Sequence, residues 1–89
     1  MKIVLTIIGE DRVGIVSRVS TKLADFKVNI LDINQNILKG FFNMVMIAEM
    51  TDQTLTLKEL QNEFNQLGDE IGVTVKIQHA DIFTAMHRI

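Results

Sequence analysis

The chain has 89 residues, a net charge of −2 and no cysteine, so it holds one domain and can form neither a disulfide nor a thiolate metal site. Although 47% of its residues are apolar, no apolar run approaches the roughly 18 residues of a membrane span, and Met1 to Gly9 is too short for a secretory signal. With neither of these and no cysteine, the cytoplasm is the expected compartment and no membrane partner is expected; Lys and Arg form no long stripe to neutralise phosphates, which argues against nucleic acid.

Lys2 to Ile8 predicts the first strand, with Ile3, Leu5 and Ile7 on one face. Val13 to Phe26 predicts a helix, because Val16, Val19, Leu23 and Phe26 recur at helical spacing. Val28 to Leu38 and Phe41 to Met50 predict two strands joined at Lys39-Gly40, where glycine permits the positive φ of a hairpin turn. Thr56-x-x-Glu59 is a capping box that opens a second helix, with Leu57, Leu60, Phe64, Leu67 and Ile71 as its buried stripe and Gly72 as its stop. Val73 to His79 alternates cleanly and predicts the last strand. The element order is βαββαβ, an α+β ferredoxin-like plait in which a four-stranded antiparallel sheet carries two helices on one face.

Two segments do not fit a bare plait. In the third strand Phe42, Met44, Met46, Ala48 and Met50 form one apolar face, and Phe41, Val45 and Ile47 make the other apolar as well. A strand apolar on both faces is usually covered on both, so a partner subunit or the segment after His79 is expected over the open face. That segment, residues 81–89, is amphipathic, with Ile82, Phe83, Met86 and Ile89 near one side; it is expected to be a docking tail of the same domain.

The run Gly9-Glu10-Asp11-Arg12-Val13-Gly14-Ile15-Val16 carries the functional signal. It takes the chain from a strand through a short polar loop into a helix, whose first N–H groups lack internal partners and whose dipole favours an anion. Gly14 has no Cβ, so a ligand can approach its backbone. The Asp11-Arg12-x-Gly14-Ile15 turn, the helix after it and Val28-Asn29-Ile30 together resemble the ACT domain, a small ligand-binding regulatory module. The resemblance runs from Met1 to about His79 and makes residues 1–80 the ligand-binding unit; stand-alone ACT proteins and the ACT halves of the glycine cleavage transcriptional repressor look similar. It implies strand order 4-1-3-2 and amino-acid binding at the turn, with Asn29 reaching a ligand across a dimer interface.

From the residues alone, Asp11 reads either as a helix N-cap or as a partner for a ligand ammonium, while the amides of Val13 to Ile15 would hold its carboxylate and Arg12 flanks them. Asn29 offers a donor and an acceptor to a zwitterion, or serves as a turn residue. Some relatives have an asparagine where Asp11 stands and a polar residue where Gly9 stands; an acid at position 11 repels a nearby carboxylate, so a different ligand or a different orientation is expected here. Asn34 and Asn36 suit a wet edge strand, and Asp32 and Gln35 either that or a pocket rim. His79, Asp81 and His87 match no tight metal-ligand spacing, and the five methionines read as core packing.

No convergent nucleophile, acid–base pair or cofactor motif is visible, and Gly9 to Gly14 is not a dinucleotide-binding loop. The expectation is a non-catalytic module without cofactor that binds an amino acid or similar metabolite as a homodimer or higher homo-oligomer and signals to a separate protein. The competing expectation is a protein-interaction module with no small ligand.

Overall fold

The computed structural model describes residues 1–86, and of Met86 only the backbone. The elements are β1 (Lys2–Glu10), α1 (Ile15–Asp25), β2 (Val28–Leu38), β3 (Phe41–Met50), α2 (Leu57–Ile71), β4 (Val73–His79) and a short α3 (Ala80–Met86). The strands form one antiparallel sheet in the order β2-β3-β1-β4. This is the ferredoxin-like plait, in the expected strand arrangement.

One sheet face and two helices enclose the core. Ile3, Leu5 and Ile7 of β1 and Phe42, Met44, Met46 and Ala48 of β3 meet Ile15, Val19 and Leu23 of α1 and Leu60, Phe64 and Leu67 of α2. The helix stripes follow the 3.6-residue repeat and the strand sets follow the pleat, so each element buries the side its sequence makes apolar. Thr56 Oγ1 accepts from the Glu59 N–H at 3.1 Å and Glu59 Oε1 accepts from the Thr56 N–H at 3.3 Å, which completes the capping box.

The junction of β1 and α1 departs from the expected boundaries. β1 continues to Glu10, because Gly9 and Glu10 pair with Phe42 and Phe41. The helix begins at Ile15, two residues later than the spacing implied, because Gly14 at φ +90° is left-handed and cannot lie within a right-handed helix. Asp11 is therefore not the N-cap. Gly14 is, and no side chain caps the helix.

β2 is an edge strand, and its register shifts between Ile30 and Asp32. Leu31 is the extra residue of that bulge. Val28 and Ile30 pair with Met50 and Ala48 on the helix side, whereas beyond the bulge Ile33, Gln35 and Ile37 take that side, opposite Met46, Met44 and Phe42. Asp32, Asn34 and Asn36 fall on the open face. The helices do not shelter this half of β2, and Ile33 and Ile37 remain 44% and 50% exposed.

The open face is covered unevenly. α3 folds back against β1 and β4, and beneath it Val4, which points away from the main core, is only 4% exposed. Val45 and Ile47 are half-buried. At the hairpin end Ile8, Leu38 and Phe41 stay exposed. In the tail Phe83 is half-buried and Ile82 exposed; the side chain of Met86, and His87 and Ile89, lie outside the described residues.

Candidate functional site

The loop from Asp11 to Gly14 is latched to the β2–β3 hairpin, because the Asp11 N–H donates to the Gly40 carbonyl at 2.9 Å. That hairpin turns on Lys39 at φ +52° and Gly40 at φ +82°, the left-handed pair of a type I′ turn. With the loop fixed at one end by the turn and at the other by Gly14, α1 starts with its free amides facing a hollow. The Arg18 N–H closes the first helical bond, to the Gly14 carbonyl at 2.9 Å. The N–H groups of Ile15, Val16 and Ser17 thus have no partner within the helix, and no acidic residue stands in the first turn to compete for them.

The hollow has a volume of about 180 Å³ and is lined by Arg12, Val13, Gly14, Ile15, Arg18 and Ile71. Both arginines are held by carboxylates. Arg12 Nη2 donates to Glu10 Oε2 at 3.4 Å, and Arg18 Nη2 donates to Glu70 Oε2 at 2.7 Å. All four side chains are more than half exposed, so these pairs add little stability and leave their guanidinium groups available to a bound anion. The Arg12 guanidinium also lies against Gly72, 3.6 Å from where a Cβ would stand. The last turn of α2, at Ile71, closes the other side of the hollow, with the Arg12 guanidinium laid over its Gly72 cap.

Four of the six expected site residues, Arg12, Val13, Gly14 and Ile15, line this one hollow. Asp11 does not line it; its backbone serves the latch to Gly40. Asn29 lies elsewhere. It pairs with Glu49, which pairs with Lys2, at the end of the sheet opposite Gly9 and Phe42. The seven-residue step from Lys2 to Gly9 puts roughly 24 Å between those ends, so within one chain Asn29 cannot touch a ligand held by Gly14. Arg18, Glu70 and Ile71 had not been anticipated. Arg18 was within reach, since a residue four positions after Gly14 shares its helix face; Glu70 and Ile71 arrive only through the packing of α2.

His79 is used locally, its Nδ1 accepting the Asp81 N–H at 3.1 Å at the start of α3. Among the described residues no three His, Asp or Glu side chains are grouped to hold a metal ion, and no helix is long and apolar enough to cross a membrane.

A family model for the ACT domain matches residues 2–78. The chain belongs to the ACT domain family. The match takes in the β1–α1 loop and the four strands that frame it. A UPF0237 protein of Methanosarcina acetivorans is 46% identical over 88 residues, covering 99% of this chain and 96% of that one. An ACT domain protein from Streptococcus pneumoniae superposes with a TM-score of 0.84 at 37% identity, covering 93% of each chain. A candidate glycine cleavage system transcriptional repressor shares the fold, with a TM-score of 0.73 at 20% identity over 86% of this chain and 44% of its own. This chain is thus similar in length to small ACT proteins and similar in fold to a unit within larger ones.

Proposed function

We propose that this ACT domain is a non-catalytic cytoplasmic regulator that binds an amino acid or similar small metabolite at a homodimer interface and passes the signal to a separate protein. The observation that carries the reading is the hollow itself, where Arg12, Arg18 and the start of α1 at Gly14 and Ile15, with its unpartnered amides, come together. A carboxylate fits the guanidinium groups and the unpartnered amides. A volume of about 180 Å³ is below that of drug-sized pockets, roughly 300 Å³ and up, and suits a small zwitterion. Residues 81–89 act in this reading as a tail of the same domain, of which α3 shields the sheet at Val4.

The edge of β2 supports a dimer. A two-residue turn makes Leu38 and Phe41 a hydrogen-bonded pair, and the alternation of an antiparallel ladder then directs the N–H and C=O of Ile37, Gln35 and Ile33 away from β3. The Ile33 N–H, donating to its neighbour's Asp32 Oδ1 at 2.9 Å, agrees with that direction. Antiparallel pairing of two copies about Gln35 sets Ile33 against the partner's Ile37, joins all the outward groups, and brings Asn29 to the partner's hairpin turn, where Gly40 holds the Asp11 loop. Covering the half-exposed isoleucines contributes roughly 1 kcal/mol each, and six backbone bonds roughly 1 kcal/mol each. Association costs about 4–15 kcal/mol. The balance is close to even, the condition under which a ligand spanning the seam decides it.

The test is a thermal-shift screen of the purified protein against the common amino acids, followed by sedimentation with any that stabilise it. A ligand present at a hundred times its Kd raises stability by about 2.7 kcal/mol. Stabilisation together with dimerisation supports the reading. A second reading, an interaction module with no ligand, draws on the exposed Leu31, Ile33, Ile37, Leu38 and Phe41; it gains if no metabolite shifts the melting temperature.

A further inference from the structure

The second edge of the sheet is built differently from the first. β4 pairs only with β1, and the Ile77 carbonyl faces outward, since it accepts from Gln61 Nε2 of α2 at 2.8 Å. Ile77 lies opposite Leu5, and Val75 opposite Ile7, two residues along the same ladder. The alternation of the ladder therefore turns the backbone groups of Val75 to the same open side. Between this edge and α2 runs the largest hollow described, a groove of about 510 Å³ lined by Lys58, Gln61, Asn62 and Asn65 of α2 and by Val75 to Gln78 of β4.

The lining is neither apolar nor electrically balanced. Two lysines and four carboxamides line the groove, and no carboxylate does. Asp69, the acid that continues the α2 stripe, falls one turn beyond Asn65 and outside the groove. Glu59, beside Lys58, is turned into the capping box at Thr56. Carboxamides offer donors and acceptors together, which suits a peptide backbone better than an apolar metabolite. Gln61 guards the outward Ile77 carbonyl, and Lys76 is the only lysine, arginine, aspartate or glutamate on β4 itself. Charged and capped edges discourage promiscuous pairing, and here they leave one sign of partner favoured.

We propose that the groove between α2 and β4 is a docking site for an acidic, extended peptide segment of a partner protein, which adds as a fifth strand beside Val75 and Ile77 and places carboxylates of successive residues near Lys58 on the helix side and Lys76 on the open face. Main-chain bonds to the edge give affinity, and the flanking side chains give sign selectivity. Gln61 releases the Ile77 carbonyl to the incoming N–H and turns its own amide to the peptide. The groove lies at the opposite edge of the sheet from β2, so docking here leaves the β2 edge open to a second copy.

The test uses isotope-labelled full-length protein titrated with a blocked peptide of repeating Val-Glu-Glu-Val, whose adjacent glutamates face both sides of an added strand, a Val-Lys-Lys-Val counterpart, and an acidic version N-methylated at alternate residues. The acidic peptide is expected to shift the backbone resonances of Val75 to Gln78 and the Gln61 side chain, and to bind at least about fivefold better than the lysine peptide. N-methylation abolishes the shifts. The double variant Lys58→Glu, Lys76→Glu, both exposed positions, reverses the preference while its melting temperature shows that it is folded. Equal binding of both signs, shifts confined to β2, indifference to N-methylation, or no shifts at all would each overturn the proposal. So would shifts at β4 that grow with protein concentration in the absence of peptide, which would make the occupant a second copy.

Discussion

Gly14 separates backbone strain from steric blockage. It sits at φ +90°, and a Cβ added there would meet nothing within 4 Å. Replacing it with alanine therefore introduces no clash, and its whole cost is that of holding an L-residue in a left-handed conformation, about 1–2 kcal/mol. In a domain of this size 1 kcal/mol moves the melting temperature by about 4–8 °C, so Gly14→Ala is expected to lower it by about 4–16 °C. Asparagine tolerates the conformation better and should lose less. Gly14→Val adds a β-branched side chain over the free amides of α1, so it should lose more stability and also lose ligand. Scanning calorimetry reads the first effect, and titration calorimetry with the ligand found by the thermal screen reads the second. An alanine variant as stable as the parent would show that the loop does not need its left-handed residue. Undiminished ligand binding by a folded Gly14→Val protein would move the site away from this hollow.

Three further substitutions test the frame. Gly68→Ala gains about 1 kcal/mol of helix propensity but drives a Cβ to 2.5 Å from the Val73 carbonyl oxygen; overpacking of 1–3 kcal/mol is expected to win, and a rise in urea midpoint would refute that. Thr56→Ala removes the cap of α2 and should cost about 1 kcal/mol by chemical denaturation, whereas Glu59→Gln, which keeps an acceptor, should cost less. Asp52 accepts from the Thr54 hydroxyl at 2.6 Å and from its N–H at 2.9 Å, and these bonds, the hydroxyl's foremost, hold its carboxyl below the ordinary value of 3.8. A depressed folded pKa stabilises above the unfolded value and loses that contribution as pH falls through the folded one. The stability gap between the parent and Asp52→Ala should therefore narrow below about pH 3.8, and a gap that stays constant or widens in acid contradicts the bonds.

The elements that were legible in the sequence are those whose ends carry local chemistry. Lys39-Gly40 fixed the β2–β3 hairpin, Thr56 and Glu59 the start of α2, and Gly72 its stop, so β2, β3, α2 and β4 fall where the pattern puts them. The β1–α1 junction was misjudged because its limits are set by partners far along the chain. Glu10 stays in the strand by pairing with Phe41, and Val13 has an apolar side chain that suits a helix period yet stands fully exposed in the loop. The bulge at Leu31 is marked in the sequence only by two adjacent apolar residues followed by Asp32 and Ile33, which break a period of two. Without the bulge, Ile33 and Ile37 would share the open face with Asn29; with it they line the helix side of a bare edge. Four of the six residues lining the hollow were legible for the same reason. Arg12 to Ile15 are contiguous, whereas Ile71 and Glu70 join them only after α2 has packed.

The distance between Gly14 and Asn29 yields the most discriminating consequence. In the proposed reading one chain supplies Arg12, Arg18 and the unpartnered amides of α1, so a monomer would hold the ligand's carboxylate by itself. Asn29, roughly 24 Å away along the sheet, can add its carboxamide only from a second copy. If the proposed assembly is right, Asn29→Ala weakens ligand binding at protein concentrations where the dimer forms and has no effect once dilution leaves monomers. The parent protein should also bind more tightly as its concentration rises, because ligand and partner are linked and each must favour the other by the same factor. A hydrogen bond of this kind contributes about 0.5–1.5 kcal/mol, so the dimer should bind about 2- to 12-fold more tightly than the monomer, and Asn29→Ala should erase that difference. Titration calorimetry at two protein concentrations decides it. Equal affinities at both, with Asn29→Ala silent throughout, would leave the loop as a complete site within one chain and remove the seam from the mechanism.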